Sequence, residues 1–324
     1  MTTRRRAAPV PWNGSQQGLP SVEPTTFDLP PGACDCHAHV IAKNAIDYPL
    51  VADRSYTPEP APEARYLAML DALGMARGVL VQISVYGTDN RYLLKVLRRH
   101  PERLRGVAVA DRGVSAHELR SMHDAGVRGL RINTAFGGGV PLSDLEALAE
   151  RVAPMGWHVQ LLIDGRRFPA LLPRLRRLEG RFVVDHMGHL PACPGVSSPA
   201  FQALLELVAE RDWWVKLSAP YRLAAPQAED GPPEGVSGLA ESPSVFPGQP
   251  AYPGVTAMAQ ALVAHAPQRL VWGSDWPHVA TAGLPDTGRL RNLLPDWIPD
   301  AAQRRRVLVD NPARLYDFPG RPVA

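Results

Sequence analysis

Apolar residues recur along the chain in short runs that end in polar or charged positions. The runs are ACDCHAHV (33–40), ARGVLVQIS (76–84), LRGVAVA (104–110), GVRGLRIN (126–133), WHVQLLID (157–164), RFVVDHMG (181–188), WVKLSA (214–219) and LVWGSDWPH (270–278). Continuous apolar segments of this length suit strands buried on both faces, as in a parallel sheet. Between them lie stretches with apolar residues at helical spacing, among them APEARYLAMLDALG, SAHELRSMHDAG and FQALLELVAERD, several closed by Gly or Pro. Eight strand and helix units in alternation predict an α/β fold closed into a (β/α)8 TIM barrel. A doubly wound open sheet is the alternative, weakened because no Gly-rich phosphate fingerprint follows the first strand.

The barrel is expected over residues 30–317, preceded by an extended arm (1–29) and followed by a tail (318–324). Residues 224–254 break the rhythm: they hold seven prolines and show no periodicity. Lying after the seventh strand, they are expected near the catalytic face, as a lid or pocket wall or else as a surface insertion.

Composition narrows the class of protein. The chain has 324 residues, 45% hydrophobic and 21% charged, with a net charge of +3. No apolar stretch approaches the length of a membrane helix, so no membrane partner is expected. The arginines are scattered at helix ends without interleaved aromatics, which argues against nucleic acid as a partner. The basic start, MTTRRR, is followed by no apolar segment and does not read as a secretory signal, so a cytoplasmic location is expected. Three cysteines, Cys34, Cys36 and Cys193, cannot form a disulfide framework. Strand alternation is expected to point Cys34 and Cys36 away from His37 and His39, against a helix. Oligomeric state is not encoded in any of these patterns.

The chemistry-bearing residues sit where strands end. His37 and His39 close the first strand, His186 the sixth and Asp275 the eighth, so a barrel would gather all four at one mouth. A His-x-His pair alone suggests the start of a zinc site. Packing is a poor explanation for the set, because each buried imidazole or carboxylate would need its own partner.

DCHAH, VVDHMGH and WGSDWPH together resemble the amidohydrolase superfamily. With YTP (56–58), GVRGLRIN, GWHV and VDNPARLY (309–316), the chain resembles more narrowly the 2-pyrone-4,6-dicarboxylate lactonase group of TIM-barrel hydrolases. The resemblance implies hydrolysis of a carboxylated lactone, a small anionic substrate, in the catabolism of aromatic compounds. Two-metal relatives use a carbamylated lysine at the end of strand four, where this chain reads RINT; its only lysines are Lys43, Lys95 and Lys216. One-metal relatives add a histidine at the end of strand five, where this chain reads QLLID, with His158 at the other end of that strand. No metal or other cofactor is therefore expected. The alternative is one Zn2+ on His37, His39, His186 and Asp275.

In the metal-free reading the resemblance implies N–H donors from His37, His39 and His186 on the lactone carbonyl oxygen. Asp275 takes a proton from water, with Trp272 and Trp276 expected to raise its pKa. His278 is expected to orient Asp275 or touch substrate. Arg131 and Arg222 match the group's pattern and are expected to receive carboxylates. Three positions depart from it: FGGG (136–139) stands where a Lys-Arg pair is expected, His189 in place of an arginine, and Leu162 in place of a tyrosine. These losses point to a lactone with one carboxylate, or a differently disposed acid. Tyr56, Ser84, Tyr86, Asn133 and Arg128 are further candidate contacts. A zinc-dependent amidohydrolase or decarboxylase and a lactone isomerase on the same scaffold are the alternatives. A barrel kept only for binding is disfavoured by the intact His, His, His, Asp set.

Overall fold

In a computed structural model describing residues 22–224, 251–281 and 284–319, each apolar run contains a strand. These are β1 (Cys34–Ala38), β2 (Arg77–Val81), β3 (Leu104–Ala108), β4 (Val127–Asn133), β5 (His158–Leu162), β6 (Arg181–Val184), β7 (Trp213–Leu217) and β8 (Leu270–Trp272). All neighbours pair in parallel in the order β1 to β8. The seam between β8 and β1 is closed past the end of β8. The His39 N–H donates to the Trp276 carbonyl and the Asp275 N–H to the His37 carbonyl, both at 2.8 Å. Gly273 permits this approach, because a Cβ there would collide with His37.

Helices cover the outside: α1 (Glu63–Leu73), α2 (Arg91–Arg99), α3 (Ala116–Asp124), α4 (Leu145–Val152), α5 (Phe168–Leu175), α6 (Pro199–Glu210), α7 (Pro220–Ala224), α8 (Pro253–His265) and α9 (Thr287–Asn292). Then come α10 (Leu294–Trp297), α11 (Ala301–Arg305) and α12 (Asn311–Tyr316). Their starts are chemically marked. Ser115 and Glu118 form a reciprocal capping box on α3, and Ser198 caps α6, with Pro199 in its first turn. The result is the expected (β/α)8 barrel. Among the described helices none is long and apolar enough to cross a membrane. The described part of the arm lies on α9, where Arg291 donates to the Glu23 carbonyl at 2.7 Å. Residues 225–250, the body of the expected insertion, lie outside the described residues.

Two interior zones follow from strand polarity. In the first, Cys34, Cys36, Val79, Val81, Val107, Val183, Trp214 and Val271 pack together with Leu315, Tyr316 and Phe318 of the C-terminal segment. Only the barrel interior can bring residues of β1 to β3 and of β6 to β8 into one cluster. The expectation that Cys34 and Cys36 face a helix opposite the histidines is therefore corrected. The β1 register shifts between Asp35 and Ala38, so residues on both sides of the shift point inward. The second zone, at the strand ends, is polar.

Candidate active site

His37, His39, His186 and Asp275 meet at the carboxyl ends of β1, β6 and β8, as the sequence suggests. Asp275 Oδ1 is the focus, with His37 Nε2 and His39 Nε2 each 3.7 Å away and His186 Nε2 3.8 Å away. Asp275 is in the left-handed region (φ 60°), as are His186 (50°), Met187 (49°) and His189 (52°). Such backbone is costly away from glycine and persists where surrounding bonds over-determine it.

The other carboxylate oxygen is held. Asp275 Oδ2 accepts from Tyr221 Oη at 2.6 Å and from Arg222 Nε at 2.9 Å. Burial alone would raise this carboxyl's pKa, but Arg222, then His186, His37 and His39, outweigh burial and hold it well below the usual carboxylate range. The expected rise from Trp272 and Trp276 is thus reversed in sign. Tyr221 was missed by the sequence reading. His278 does not line the cleft. Its Nδ1 lies 3.2 Å from Tyr221 Oη and its Nε2 2.9 Å from Thr287 Oγ1, so it orients Asp275 through Tyr221.

Each imidazole has a distinct second partner. His39 Nδ1 lies 2.8 Å from the Val81 carbonyl, which can only accept, so Nδ1 carries the proton. Burial, with Arg131 nearby, lowers the His39 pKa to about 4, so near pH 7 the ring is neutral and its Nε2 is a lone pair. That removes His39 from the three expected donors. His186 Nδ1 bonds Ser218 Oγ at 2.8 Å, a partner that accommodates either tautomer, and burial lowers its pKa to about 3. His37 Nδ1 lies 3.2 Å from Lys216 Nζ and 3.2 Å from Asp185 Oδ1.

Beneath the histidines is a buried polar layer that sequence reasoning missed. Lys216 on β7 donates to Gln160 Oε1 at 2.7 Å. Gln160 on β5 donates to Asp185 Oδ2 at 3.0 Å, and Arg131 Nε reaches the same oxygen at 3.2 Å. Burial would raise the Asp185 pKa, but His37, Lys216 and Arg131 bring it well below the usual range. A signal was present: Lys216 interrupts an otherwise apolar strand, and a charge buried on both faces must be paired.

A small cleft opens above Asp275, lined by His39, Tyr56, Ser84, Arg131, Asn133, Phe136, Leu162, His186, His189, Arg222, Asp275 and Val279. Among the expected substrate contacts, Tyr56, Ser84, Asn133, His189, Arg131 and Arg222 are therefore in place. Tyr86 is not: its hydroxyl accepts from the Ala42 N–H at 2.9 Å, outside the lining. Arg128 belongs to the opposite end, paired with Asp317 at 3.2 Å. Three lining side chains carry buried atoms without hydrogen-bond partners: Asn133 Nδ2, His189 Nε2 and Arg222 Nη1. The FGGG segment has a steric basis. Side chains at Gly137, Gly138 and Gly139 would collide with the carbonyl oxygens of Asp53, Ser84 and Asn133.

The fit to a metal is split. Spacing favours it, since His37, His39 and Asp275 offer ligand atoms within 4.8 Å of one another, and the His39 tautomer leaves Nε2 free to bind. Charge opposes it. Buried Arg131 and Lys216 already pair with Asp185 and Arg222 with Asp275, so a dication would have to compete with cations for the carboxylates it needs. The ammonium beside His37 Nδ1 is also the wrong partner for a metal-bound imidazole, whose other nitrogen donates. Spacing and charge therefore point in opposite directions on a resident zinc.

Fold and site together define an amidohydrolase, and the chain belongs to that family, whose match spans residues 34–318. More narrowly, it is 36% identical to the 2-pyrone-4,6-dicarboxylate hydrolase of Comamonas testosteroni, over 90% of this chain and 92% of that one. It is 32% identical to the 4-sulfomuconolactone hydrolase of Rhizobium radiobacter (93% and 97% covered). It is 31% identical to the D-galactarolactone isomerase of Agrobacterium fabrum (89% and 92% covered).

Proposed function

We propose that the protein is a metal-independent hydrolase that opens a lactone carrying an acidic group. The observation that carries this reading is Asp275, ionised, with one oxygen held by Tyr221 and Arg222 and the other facing three neutral imidazoles.

Water fits between two acceptors, Asp275 Oδ1 and His39 Nε2, each taking one of its O–H bonds. The lactone carbonyl oxygen points at His37 and His186. Water attacks the carbonyl carbon and its proton passes to Asp275, while the oxyanion that develops is stabilised by imidazole N–H. Collapse breaks the ring C–O bond, and the departing oxygen takes the proton from Asp275. The product is an open-chain hydroxy acid, or its keto form where the released oxygen is enolic, and it acidifies the medium.

A strongly depressed carboxyl is a weak base, and substrate supplies the remedy. A substrate carboxylate on Arg222 Nη1 shares the guanidinium charge, which raises the basicity of Asp275 when the substrate is present. Arg222 Nη1, unpartnered in the cleft, favours an anion, but the glycine segment, His189 and Leu162 leave few cationic groups. The best substrate is therefore a lactone with one carboxylate. We place the protein in the cytoplasm, on its free, exposed Cys193 thiol, with the breakdown of aromatic acids as its setting.

A second reading, isomerisation of a hydroxylated lactone, is favoured by Asn133 Nδ2 and His189 Nε2, whose unpaired positions suit hydroxyls. A pH-indicator screen of carboxylated lactones separates the two: acid release supports hydrolysis, and ring migration without acid release, followed by NMR, supports isomerisation. Turnover of none of them overturns both.

A further inference from the structure

We propose that Lys216 is a positioning residue that fixes the proton of His37 on Nε2, so that His37 is a hydrogen-bond donor toward the cleft and is disabled as a metal ligand. The donor half of this statement rests on the hydrolase reading above; the tautomer itself does not.

The geometry favours one arrangement. Lys216 Nζ has three N–H bonds and three acceptors around it: Gln160 Oε1 at 2.7 Å, His37 Nδ1 at 3.2 Å and Asp185 Oδ1 at 3.6 Å. An ammonium has no lone pair, so a proton on His37 Nδ1 would set two donors against each other at 3.2 Å. Asp185 Oδ1, at the same distance from Nδ1, competes as a receiver for that proton, yet it accepts no hydrogen bond. A bare Nδ1 and Asp185 Oδ1 are then two acceptors 3.2 Å apart, and Lys216 Nζ, within 3.6 Å of both, places positive charge between them. The ring is wholly buried, and its Nε2 has no partner, facing Asp275 Oδ1 from 3.7 Å.

His39 is the internal control. Its Nδ1 donates to a carbonyl, so its Nε2 is a lone pair. Two histidines that look equivalent in the sequence are therefore opposite in function. One gives a hydrogen bond and one receives it, and the difference lies in what stands behind each ring. Lys216 is not itself in contact with the cleft.

The test uses the full chain, free of substrate, with ¹⁵N-labelled histidine. Long-range ¹H–¹⁵N spectra read the tautomer of each ring, and His37→Asn identifies the His37 signals by their loss. Protonated Nε2 and bare Nδ1 are expected for His37 in the wild type. Lys216→Met is expected to move the proton to Nδ1, facing Asp185. Zinc chloride titrated alone should then bind about 10- to 100-fold more tightly than to the wild type. On a lactone substrate the same variant is expected to lose kcat by about 10²-fold, with KM little changed. A wild-type His37 protonated on Nδ1 overturns the proposal, as does a Lys216→Met protein with unchanged tautomer and zinc affinity. If Lys216→Met does not fold, the wild-type spectrum alone decides. Failure to hydrolyse any lactone would overturn the hydrolase reading and leave the tautomer result intact.

Discussion

The two ends of the barrel interior are built from the same strands and differ in what they leave unfinished. At the floor polar groups are sealed in: His158 Nδ1, His158 Nε2 and Tyr316 Oη are buried without partners, and neither residue lines the cleft. Phe318 lies between the guanidinium groups of Arg77 and Arg105, 5.0 and 4.8 Å from its ring centre. Arg105 is also bound to the carbonyls of Asp317 and Pro101. At the mouth, Asn133 Nδ2, His189 Nε2 and Arg222 Nη1 are likewise buried without partners, with His37 Nε2 behind them, but these three residues line the cleft. Unpaired buried polar atoms cost roughly 1–3 kcal/mol each, and only those that line a cleft can have their bonding completed by a ligand. Position along the strand thus separates His158, set against Tyr316 at the floor, from His37 at the mouth.

The largest effect that could break this comparison is expected from Asp275→Asn, which should lower kcat by about 10²–10⁴-fold. Because Arg222 then loses its buried partner, circular dichroism must accompany the kinetics. Near-normal turnover would show that the mouth is not organised around Asp275. Phe318→Ala should do the reverse, costing about 3–5 kcal/mol in denaturant unfolding while leaving kcat within a factor of about two. Tyr221→Phe removes one charged hydrogen bond from Asp275 Oδ2. With such a bond worth about 1.5–3 kcal/mol, unfolding should show a loss of that order, while kcat should fall less than in Asp275→Asn, because the freed carboxylate is less well aimed but more basic.

The smallest effects are in pH dependence. Asp275 is already ionised through the neutral range, so kcat/KM should stay level as pH falls from about 7 to about 5 instead of breaking at an ordinary histidine pKa, and fall above pH 8 as Lys216, its pKa lowered by burial to about 8, loses its charge. Stability should behave differently. Burial lowers His39, His189 and His278 from 6.5 to about 4, and His186 to about 3. Below pH 6.5 the unfolded chain therefore takes up protons that the folded chain refuses, and stability falls, by at most about 1.4 kcal/mol per group per pH unit. Asp35 opposes this. Burial raises its pKa from 3.8 to about 6, so it adds stability as pH falls through that window, one group against several. Thermal melts from pH 7 to 4.5 should show a net decline, and a flat or rising Tm would contradict the neutral, buried state of these rings.

How much of this could be read from the chain follows the same division. The barrel was legible because its strands are apolar on both faces, and the catalytic set because strand ends in a barrel converge regardless of loop detail. What escaped depends on register between distant strands. Lys216, Gln160 and Asp185 meet through the pairing of β5, β6 and β7, and no local pattern places them under His37. The shift between Asp35 and Ala38 in β1 defeated the alternation rule for Cys34 and Cys36. The sign of the Asp275 shift was missed because neighbouring tryptophans are visible in sequence, whereas Arg222 arrives from the start of α7.

The most direct test of the central claim is lactone hydrolysis by wild-type protein stripped of metal with a chelator, its metal content measured on the same sample. Full turnover of a monocarboxylated lactone by a protein holding far less than one metal per chain is the expected result. Loss of activity on chelation, restored by stoichiometric zinc, would contradict the account.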